Sequence, residues 1–114
     1  MEVRKSKTNE GKGVFLLKSV KKDSVIYTLK GEIFSSPTRE SIRVGENQHI
    51  YDEFGIFINH SFTPNMFIRN KELVALKDIN LEEELTFNYN DNEINMAAPF
   101  YVDNVFVSGR KKTY

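Results

Sequence analysis

The run Asn59-His60-Ser61, set between apolar neighbours, is the part of the sequence best suited to chemistry. Each of its side chains can donate or accept a hydrogen bond. An unpaired polar group beside a hydrophobic core destabilises the fold, so all three side chains need partners. The partners are either other parts of the chain or a polar ligand, and this stretch by itself leaves both open.

Two further groups of residues have types suited to binding or catalysis. Gly11-Lys12-Gly13 can turn with positive φ, or let another group approach the backbone closely. A lone Gly-x-Gly is nevertheless more often a simple turn than a ligand site. Tyr89 carries a hydroxyl at the end of the last stretch that reads as a strand, but a strand tyrosine is more often packed on the core. Taken singly, neither group indicates a function.

The composition is that of one soluble globular domain. The chain has 114 residues, of which 39% are hydrophobic and 28% charged, enough for a single modest core. Its formal net charge is zero, which gives no electrostatic argument for nucleic acid or a membrane surface as a partner. No apolar run approaches the roughly 20 residues of a membrane span. We expect a cytoplasmic, bacterial protein that binds neither nucleic acid directly nor a membrane.

The residue types also argue against a metal site. The sequence contains no cysteine, which excludes disulfides and thiolate metal ligands. Its only histidines are His49 and His60, and no carboxylates stand near them at ligand spacing. No metal is therefore predicted.

The elements that must position the polar run are short strands. Apolar runs are bounded by Gly, Pro, Asn or Ser, and no sustained helical period occurs before residue 90, which predicts a mainly β protein. One helix is predicted at 93–98, stopped by Pro99. The predicted strands are 14–17, 25–29, 32–34, 41–44, 49–52, a run ending at 58, 66–68, 73–76 and 85–89.

The order and spacing of the motifs resemble those of the SET domain, the fold of most protein-lysine methyltransferases. The resemblance rests on 11–15, Asn59-His60-Ser61, 75–79 and the stretch Glu83-Glu84-Leu85-Thr86-Phe87-Asn88-Tyr89. It extends from about residue 11 to residue 110. Segments 37–52 and 96–100 are most similar to the short bacterial and virus-type members.

The resemblance implies a fold of small antiparallel sheets, of the β-clip type, with a C-terminal pseudoknot. Residues 1–10 would lead into the fold, 11–90 would form the SET core, and 91–114 would close it without zinc. In this arrangement the chain after Tyr89 threads beneath a loop of the preceding segment. Asn59, His60 and Tyr89 would thereby come together.

The resemblance also implies a cofactor and a site. The cofactor is S-adenosylmethionine, with Asn59 at its methionine end and His60 meeting the adenine mainly through its backbone. Leu29 stands where several relatives carry a channel tyrosine, so Tyr27 or Tyr51 would line the substrate channel instead. The cofactor-binding residues implied are Glu10, Lys12, Gly13, Asn59, His60, Tyr89 and Phe100, and the channel residues are Tyr27, Tyr51 and Phe87.

The implied reaction requires the site mainly to align the reacting groups, without a metal or a covalent nucleophile. A methyl group on a sulfonium is already activated, so the site has to hold a neutral amine in line with it. The amine of lysine has a solution pKa of about 10.4, which an apolar channel and a nearby positive charge both lower. Tyr89 would be the catalytic residue that orients the amine. Phe87, which lacks the hydroxyl of a tyrosine, would leave room for di- or trimethylation.

Several positions depart from the family pattern. Glu82 replaces the usual glycine and Asn88 a common aspartate, both in places where a turn or a surface can tolerate them. The segment after Pro99 has no cysteine with which to bind zinc. Phe100 or Tyr101 could cover the adenine and 105–107 could add a strand; alternatively, this tail becomes ordered only when cofactor or peptide binds.

Two functions remain open at this point. The first is a methyltransferase acting on a lysine of a protein or peptide, to which the acidic residues 82–84, Asp91 and Glu93 could attract a basic segment. The second is a non-catalytic binding module that keeps the SET scaffold, either with the cofactor or without it. A homodimer that completes the site is possible in either case.

Overall fold

The computed structural model describes residues 1–6, 11–38, 40–93, 99–102 and 105–109. A 3-10 helix, Gly55–Phe57, and a single α-helical turn, α1 (Tyr89–Asn92), interrupt a series of short strands. The strands are β1 (Glu2–Lys5), β2 (Lys12–Phe15), β3 (Val25–Thr28), β4 (Glu32–Phe34), β5 (Ile42–Gly45), β6 (Gln48–Tyr51), β7 (Asn59–His60), β8 (Met66–Arg69), β9 (Glu72–Ala75), β10 (Thr86–Phe87), β11 (Phe100–Val102) and β12 (Val105–Val107).

The strands pair into small sheets. Two sheets have three strands, in the orders β3-β9-β8 and β4-β6-β5, and both are antiparallel. β1 pairs with β2 and β11 with β12, also antiparallel. The exception is β7, which pairs in parallel with β10. The predicted mainly β fold of small antiparallel sheets is confirmed.

Asparagine and aspartate residues make the tight turns that keep the strands short. In the hairpin of β8 and β9, Arg69 pairs with Glu72 across two turn residues, and Asn70 has a φ of 55°. Asn47 (φ 53°) and Asp23 (φ 69°) make comparable left-handed turns. Short polar side chains tolerate this conformation better than other non-glycine residues do. The residue types at these positions therefore account for the turns.

One core lies between the two three-stranded sheets and the strand pairs. Its side chains are almost completely shielded from solvent, and β2, β6, β8 and β9 all contribute to it. Burying such apolar side chains contributes about 1.5–3 kcal/mol each. The largest of them are Phe15, Leu29, Ile50, Ile58, Met66, Leu73, Ile79 and Leu85.

Two predicted strands are wrong in extent. The run ending at Ile58 is preceded by a 3-10 helix, because the Asp52 carboxylate accepts hydrogen bonds from the backbone N–H groups of Phe54 and Gly55. The strand predicted at 85–89 is reduced to β10. There the Asn88 side chain accepts a hydrogen bond from the N–H of Asn90, which caps α1.

The two ends of the chain also differ from expectation. Residues 2–5 form β1 and pair with β2, where the sequence indicated only a polar lead-in. The helix predicted at 93–98 is wrong at its start, since the helical turn ends at Asn92 and Glu93 is extended. Residues 94–98 lie outside the described residues. The strand expected at 105–107 is present as β12. Among the described helices, none has the length and apolar character that a membrane crossing requires.

Asp52 is the buried polar residue on which the β6 connection depends. It is 1% exposed, and its two carboxylate oxygens accept four hydrogen bonds. The donors are the Tyr27 hydroxyl at 2.9 Å, the Lys30 N–H at 2.7 Å and the N–H groups of Phe54 and Gly55 at 2.8 Å. Buried donors that lose their acceptor cost free energy of folding.

We predict that Asp52→Ala lowers the free energy of unfolding by about 3–4 kcal/mol, because it leaves one buried and three partly buried donors unpaired. Tyr27→Phe removes one donor and should lower it by only about 1 kcal/mol. Urea unfolding followed by circular dichroism measures both. Equal effects of the two variants would contradict the central role of the carboxylate.

Candidate active site

The parallel pairing of β7 with β10 assembles the site. Asn59 lies opposite Thr86 and His60 opposite Phe87, and the N–H of Ser61 donates to the Phe87 carbonyl at 3.1 Å. The polar run thus lies along the segment that leads into α1. One of its side chains, that of His60, meets the tyrosine that begins that helical turn.

Tyr89 is held at both ends. Its backbone N–H donates to Nδ1 of His60 at 3.0 Å, and its hydroxyl donates to the carbonyl of Ile58. Its ring centroid lies 4.7 Å from that of Phe87, 5.2 Å from His60 and 5.8 Å from Phe100. Burial, followed by the charges of nearby carboxylates, raises the pKa of the Tyr89 hydroxyl well above its ordinary value. The hydroxyl therefore stays protonated and can orient a partner but not remove its proton.

His60 is held neutral by the same contacts. Since Nδ1 accepts the Tyr89 N–H, the ring proton of the neutral form is on Nε2. Burial lowers the pKa of His60, although the charge of Asp91 opposes this. Within the described residues Nε2 is buried and has no hydrogen-bond partner. A buried donor of this kind is suited to a ligand that brings an acceptor.

An aromatic cage surrounds the histidine ring. Phe62 meets it edge-on with 4.4 Å between ring centroids, and Phe100 of β11 does so at 6.1 Å. β11 is followed along the chain by β12, whose Val107 is fully buried. The segment after residue 99 therefore brings one aromatic side chain, Phe100, against His60 and Tyr89.

Asn59 joins the polar run to the Gly-x-Gly turn. Its side-chain nitrogen donates to the carbonyl of Lys12 at 2.9 Å and to Oε2 of Glu84 at 2.7 Å. The other carboxylate oxygen, Oε1, accepts a hydrogen bond from the Ser6 hydroxyl at 2.6 Å. A Cβ at Gly13 would lie 2.5 Å from Oε2, so only glycine leaves room for this carboxylate. The group that approaches the backbone at Gly13 is thus the carboxylate of Glu84.

Most of the predicted site residues meet in one region. Lys12, Gly13, Asn59, His60, Phe87, Tyr89 and Phe100 are joined by the hydrogen bonds and ring contacts described above. Glu10 lies outside the described residues. Phe62, Ile58, Ser6 and Glu84 were not predicted as site residues. A glutamate directly before the buried Leu85 is the one signal that could have indicated Glu84.

The two predicted channel tyrosines lie elsewhere. The Tyr27 hydroxyl donates to Asp52, and its ring packs edge-on against Phe54 with 5.6 Å between centroids. Burial and the hydrogen bond to Asp52 raise the pKa of Tyr27 to about 12. Tyr51 lies on β6 opposite Glu32, with 42% of it exposed. In the described part of the chain, no hydrogen bond or ring contact joins either tyrosine to Tyr89.

The acidic residues near Tyr89 are engaged in the structure. The Glu93 carboxylate is 6% exposed and accepts from the Arg43 N–H at 3.0 Å and from the Asn92 side chain at 2.6 Å. Burial raises its pKa despite these hydrogen bonds. Glu82 pairs with Arg4 at 2.7 Å. Because its carboxylate is buried and hydrogen-bonded, Glu93 is the least suited of these residues to attract a basic substrate.

A cavity of about 310 Å³ lies next to Phe87, between β8 and α1. Apolar side chains, among them Met66, Phe67 and Leu76, make up much of its lining, and Asp91 adds a carboxylate. Phe87 thus borders both this cavity and the Tyr89 ring. Among the described residues, no group of three His, Asp or Glu side chains has the arrangement of a metal site.

Comparison with known proteins identifies the family. The SET domain family model matches residues 11–90. The chain therefore belongs to the SET domain family, a family of protein-lysine methyltransferases, and the predicted resemblance is confirmed. The narrower likeness to short bacterial and virus-type members stays a prediction. No curated protein matches the chain.

Solved structures share the fold at low sequence identity. A structure of the Chaetomium thermophilum polycomb repressive complex 2 with H3K27me3 and H3K27M matches with a TM-score of 0.71 and 19% identity, covering 96% of this chain and 16% of that chain. A candidate histone methyltransferase of Plasmodium falciparum matches with a TM-score of 0.62 and 22% identity, covering 81% of this chain and 98% of that one. The chain spans about one sixth of the length of the first protein.

We predict that the free energy of unfolding falls as the pH is lowered from about 7.5 to about 5.5. Burial lowers the folded-state pKa of His60, and burial together with the charge of Arg43 lowers that of His49. The unfolded chain therefore binds protons more readily in this window, which favours unfolding. The raised folded-state pKa of Glu93 has the opposite effect on the free energy of unfolding, and this effect acts at the lower end of the pH range.

Urea unfolding at several pH values measures this slope. His60→Asn should reduce it, because asparagine can still accept the Tyr89 N–H but does not titrate. A wild-type stability that is flat or rises as the pH falls would contradict the prediction, as would an unchanged slope in His60→Asn.

Proposed function

We propose that the protein is an S-adenosylmethionine-dependent methyltransferase that acts on the ε-amine of a lysine in a protein substrate. The observation that carries the proposal is the placement of Tyr89. Its hydroxyl is bound to the Ile58 carbonyl beside Asn59, and its ring lies among Phe87, His60 and Phe100. Membership of the SET domain family supports the same function.

The residues of the site fit the cofactor. The Lys12 carbonyl and the oxygen of the Asn59 amide are acceptors suited to an ammonium group, and the Glu84 carboxylate adds a negative charge beside them. The buried Nε2 of His60 is a donor that requires an acceptor, and the Phe100 ring can cover an aromatic base. When bound, S-adenosylmethionine supplies an activated methyl group on a sulfonium.

The side chains around Tyr89 favour the neutral form of the substrate amine and orient it. Phe87 and Phe100 exclude water, which disfavours the charged form of a lysine amine and lowers its pKa. The amine loses its proton to solvent, because the Tyr89 hydroxyl is itself protonated. With its own hydrogen donated to Ile58, that hydroxyl offers lone pairs to an N–H of the amine. Tyr89 therefore orients the nucleophile.

We predict that Tyr89→Phe lowers the rate of methyl transfer by roughly 100-fold or more, because the oriented acceptor is lost. Calorimetry should show that S-adenosylmethionine binding changes much less. Tyr101→Phe is the matched control, because Tyr101 is 71% exposed and packs on Phe106.

The two measurements separate the possible failures. Full activity in Tyr89→Phe would remove the assigned role. Wild-type binding without turnover on any lysine-bearing protein from the source cell would favour the non-catalytic module instead. No binding heat with the wild type would contradict both functions that use the cofactor.

The number of methyl groups added depends on Phe87. It is 3% exposed and its ring contacts that of Tyr89, so the site has no hydroxyl there to hold a water molecule. We predict two or three methyl groups on the product lysine by mass spectrometry, and a shift towards monomethylation in Phe87→Tyr. Phe67→Tyr, at a position that is 38% exposed, is the control that should leave the pattern unchanged. Strict monomethylation by the wild type would contradict the prediction.

A further inference from the structure

We propose that Glu84, held by Ser6, is a positioning residue that fixes the amide of Asn59 so that its oxygen is left for the ligand. The inference rests on the proposed function for the identity of that ligand, the ammonium end of S-adenosylmethionine. It assigns a role to a carboxylate and to an N-terminal hydroxyl that the methyl-transfer step itself does not use.

The hydrogen bonds determine which way the amide faces. The side-chain nitrogen of Asn59 has two hydrogens, and both are engaged, one by the Lys12 carbonyl and one by Oε2 of Glu84. A flipped amide would place its oxygen against these same two acceptors, which is unfavourable. The oxygen of Asn59 therefore remains an acceptor, and the ligand group that it binds must be a donor.

Glu84 is itself held from three directions. Its Oε1 accepts from the Ser6 hydroxyl, and its Oε2 occupies the space that the missing side chain of Gly13 leaves. Its backbone forms a bridge with Phe15 of β2. A carboxylate with so little freedom can orient Asn59 without losing much side-chain entropy when the ligand binds.

Ser6 connects the N-terminal strand β1 to the hydrogen bonds of Glu84 and Asn59. It is 7% exposed, and its N–H donates to the Gly11 carbonyl at 2.9 Å. It lies outside residues 11–90, the part of the chain that the SET domain model matches. β1 and the residue that follows it thus support a ligand-binding amide from outside the matched region.

The charge of Glu84 has a separate consequence. A half-buried carboxylate beside the amide favours a positively charged ligand group over a neutral one. A substitution that removes both this charge and the hydrogen bond that orients Asn59 should therefore weaken ligand binding by about tenfold. The expected effect is mainly on affinity, because Glu84 is hydrogen-bonded to Ser6 and Asn59 and reaches Tyr89 only through its charge, which helps to raise the pKa of that hydroxyl.

The first measurement uses the protein without cofactor. In ¹⁵N-labelled protein, the side-chain NH₂ of Asn59 should be protected from hydrogen exchange, and Glu84→Ala and Ser6→Ala should each reduce that protection. Ser6→Thr keeps the hydroxyl and should restore it. Glu83→Gln removes a neighbouring carboxylate whose hydrogen bond, among the described residues, is to the Asn80 N–H, and it should have no effect.

The second measurement uses S-adenosylmethionine. Glu84→Gln should raise its Kd and its KM by about tenfold while kcat stays within about twofold. A purely structural role would instead lower kcat and the melting temperature together, without a selective change in KM. Ser6→Ala should give the same pattern more weakly, since it loosens Glu84 but leaves its charge.

The outcomes are distinguishable from those of the proposed function. Unchanged Asn59 protection in both Glu84→Ala and Ser6→Ala overturns the positioning role, whatever the protein binds. Protection lost as expected, with no cofactor binding by the wild type, supports the positioning role and overturns the proposed function. If Glu84→Ala does not fold, Ser6→Ala and Glu84→Gln decide.

Discussion

The site depends on one short parallel contact. Two residues of β7 lie beside two residues of β10, and every group proposed to act on ligand or substrate adjoins that contact. Each strand end is covered by apolar neighbours, with Ile58 before Asn59 and Leu85 before Thr86 fully buried. A pair of strands this short has little stability of its own. It persists because the core holds both strand ends in place.

Burial then sets the protonation states in the site. Tyr89 keeps its proton, His60 gives up its positive charge, and each does so because its charged form would be poorly solvated. Beside them lies Glu84, a half-buried carboxylate that accepts hydrogen bonds from two donors, Ser6 and Asn59. The pocket as proposed combines neutral groups at its aromatic end with a negative group at its polar end. That polarity suits a ligand with a cationic end and an aromatic end.

Local features of the fold could be predicted from the sequence, and distant contacts could not. The turns at Asn47 and Asn70 follow from residue type, and the strands between them follow from apolar runs. The 3-10 helix is a local feature that the apolar pattern concealed: Asp52 accepts hydrogen bonds from the N–H groups two and three residues further on, whereas the run ending at Ile58 indicated a strand. Asn59 and Tyr89 were grouped through family resemblance, whereas no sequence signal links Ser6 to Glu84, which it meets across 78 positions. Glu82, which replaces the usual glycine, has a φ of 74°, so the family pattern reflects a left-handed backbone that glutamate adopts here at some cost.

The contact between Ser6 and Glu84 has a consequence for the order of folding. The two residues are separated by most of the chain, so closing that loop requires a large loss of chain entropy before any binding contact forms. Folds dominated by such distant contacts form slowly. On the ribosome, a chain that has emerged only as far as β9 already contains the hairpins and the polar run. The proposed pocket cannot form before residues 84–89 have followed, so a ligand of that pocket cannot bind to the chain at this earlier stage.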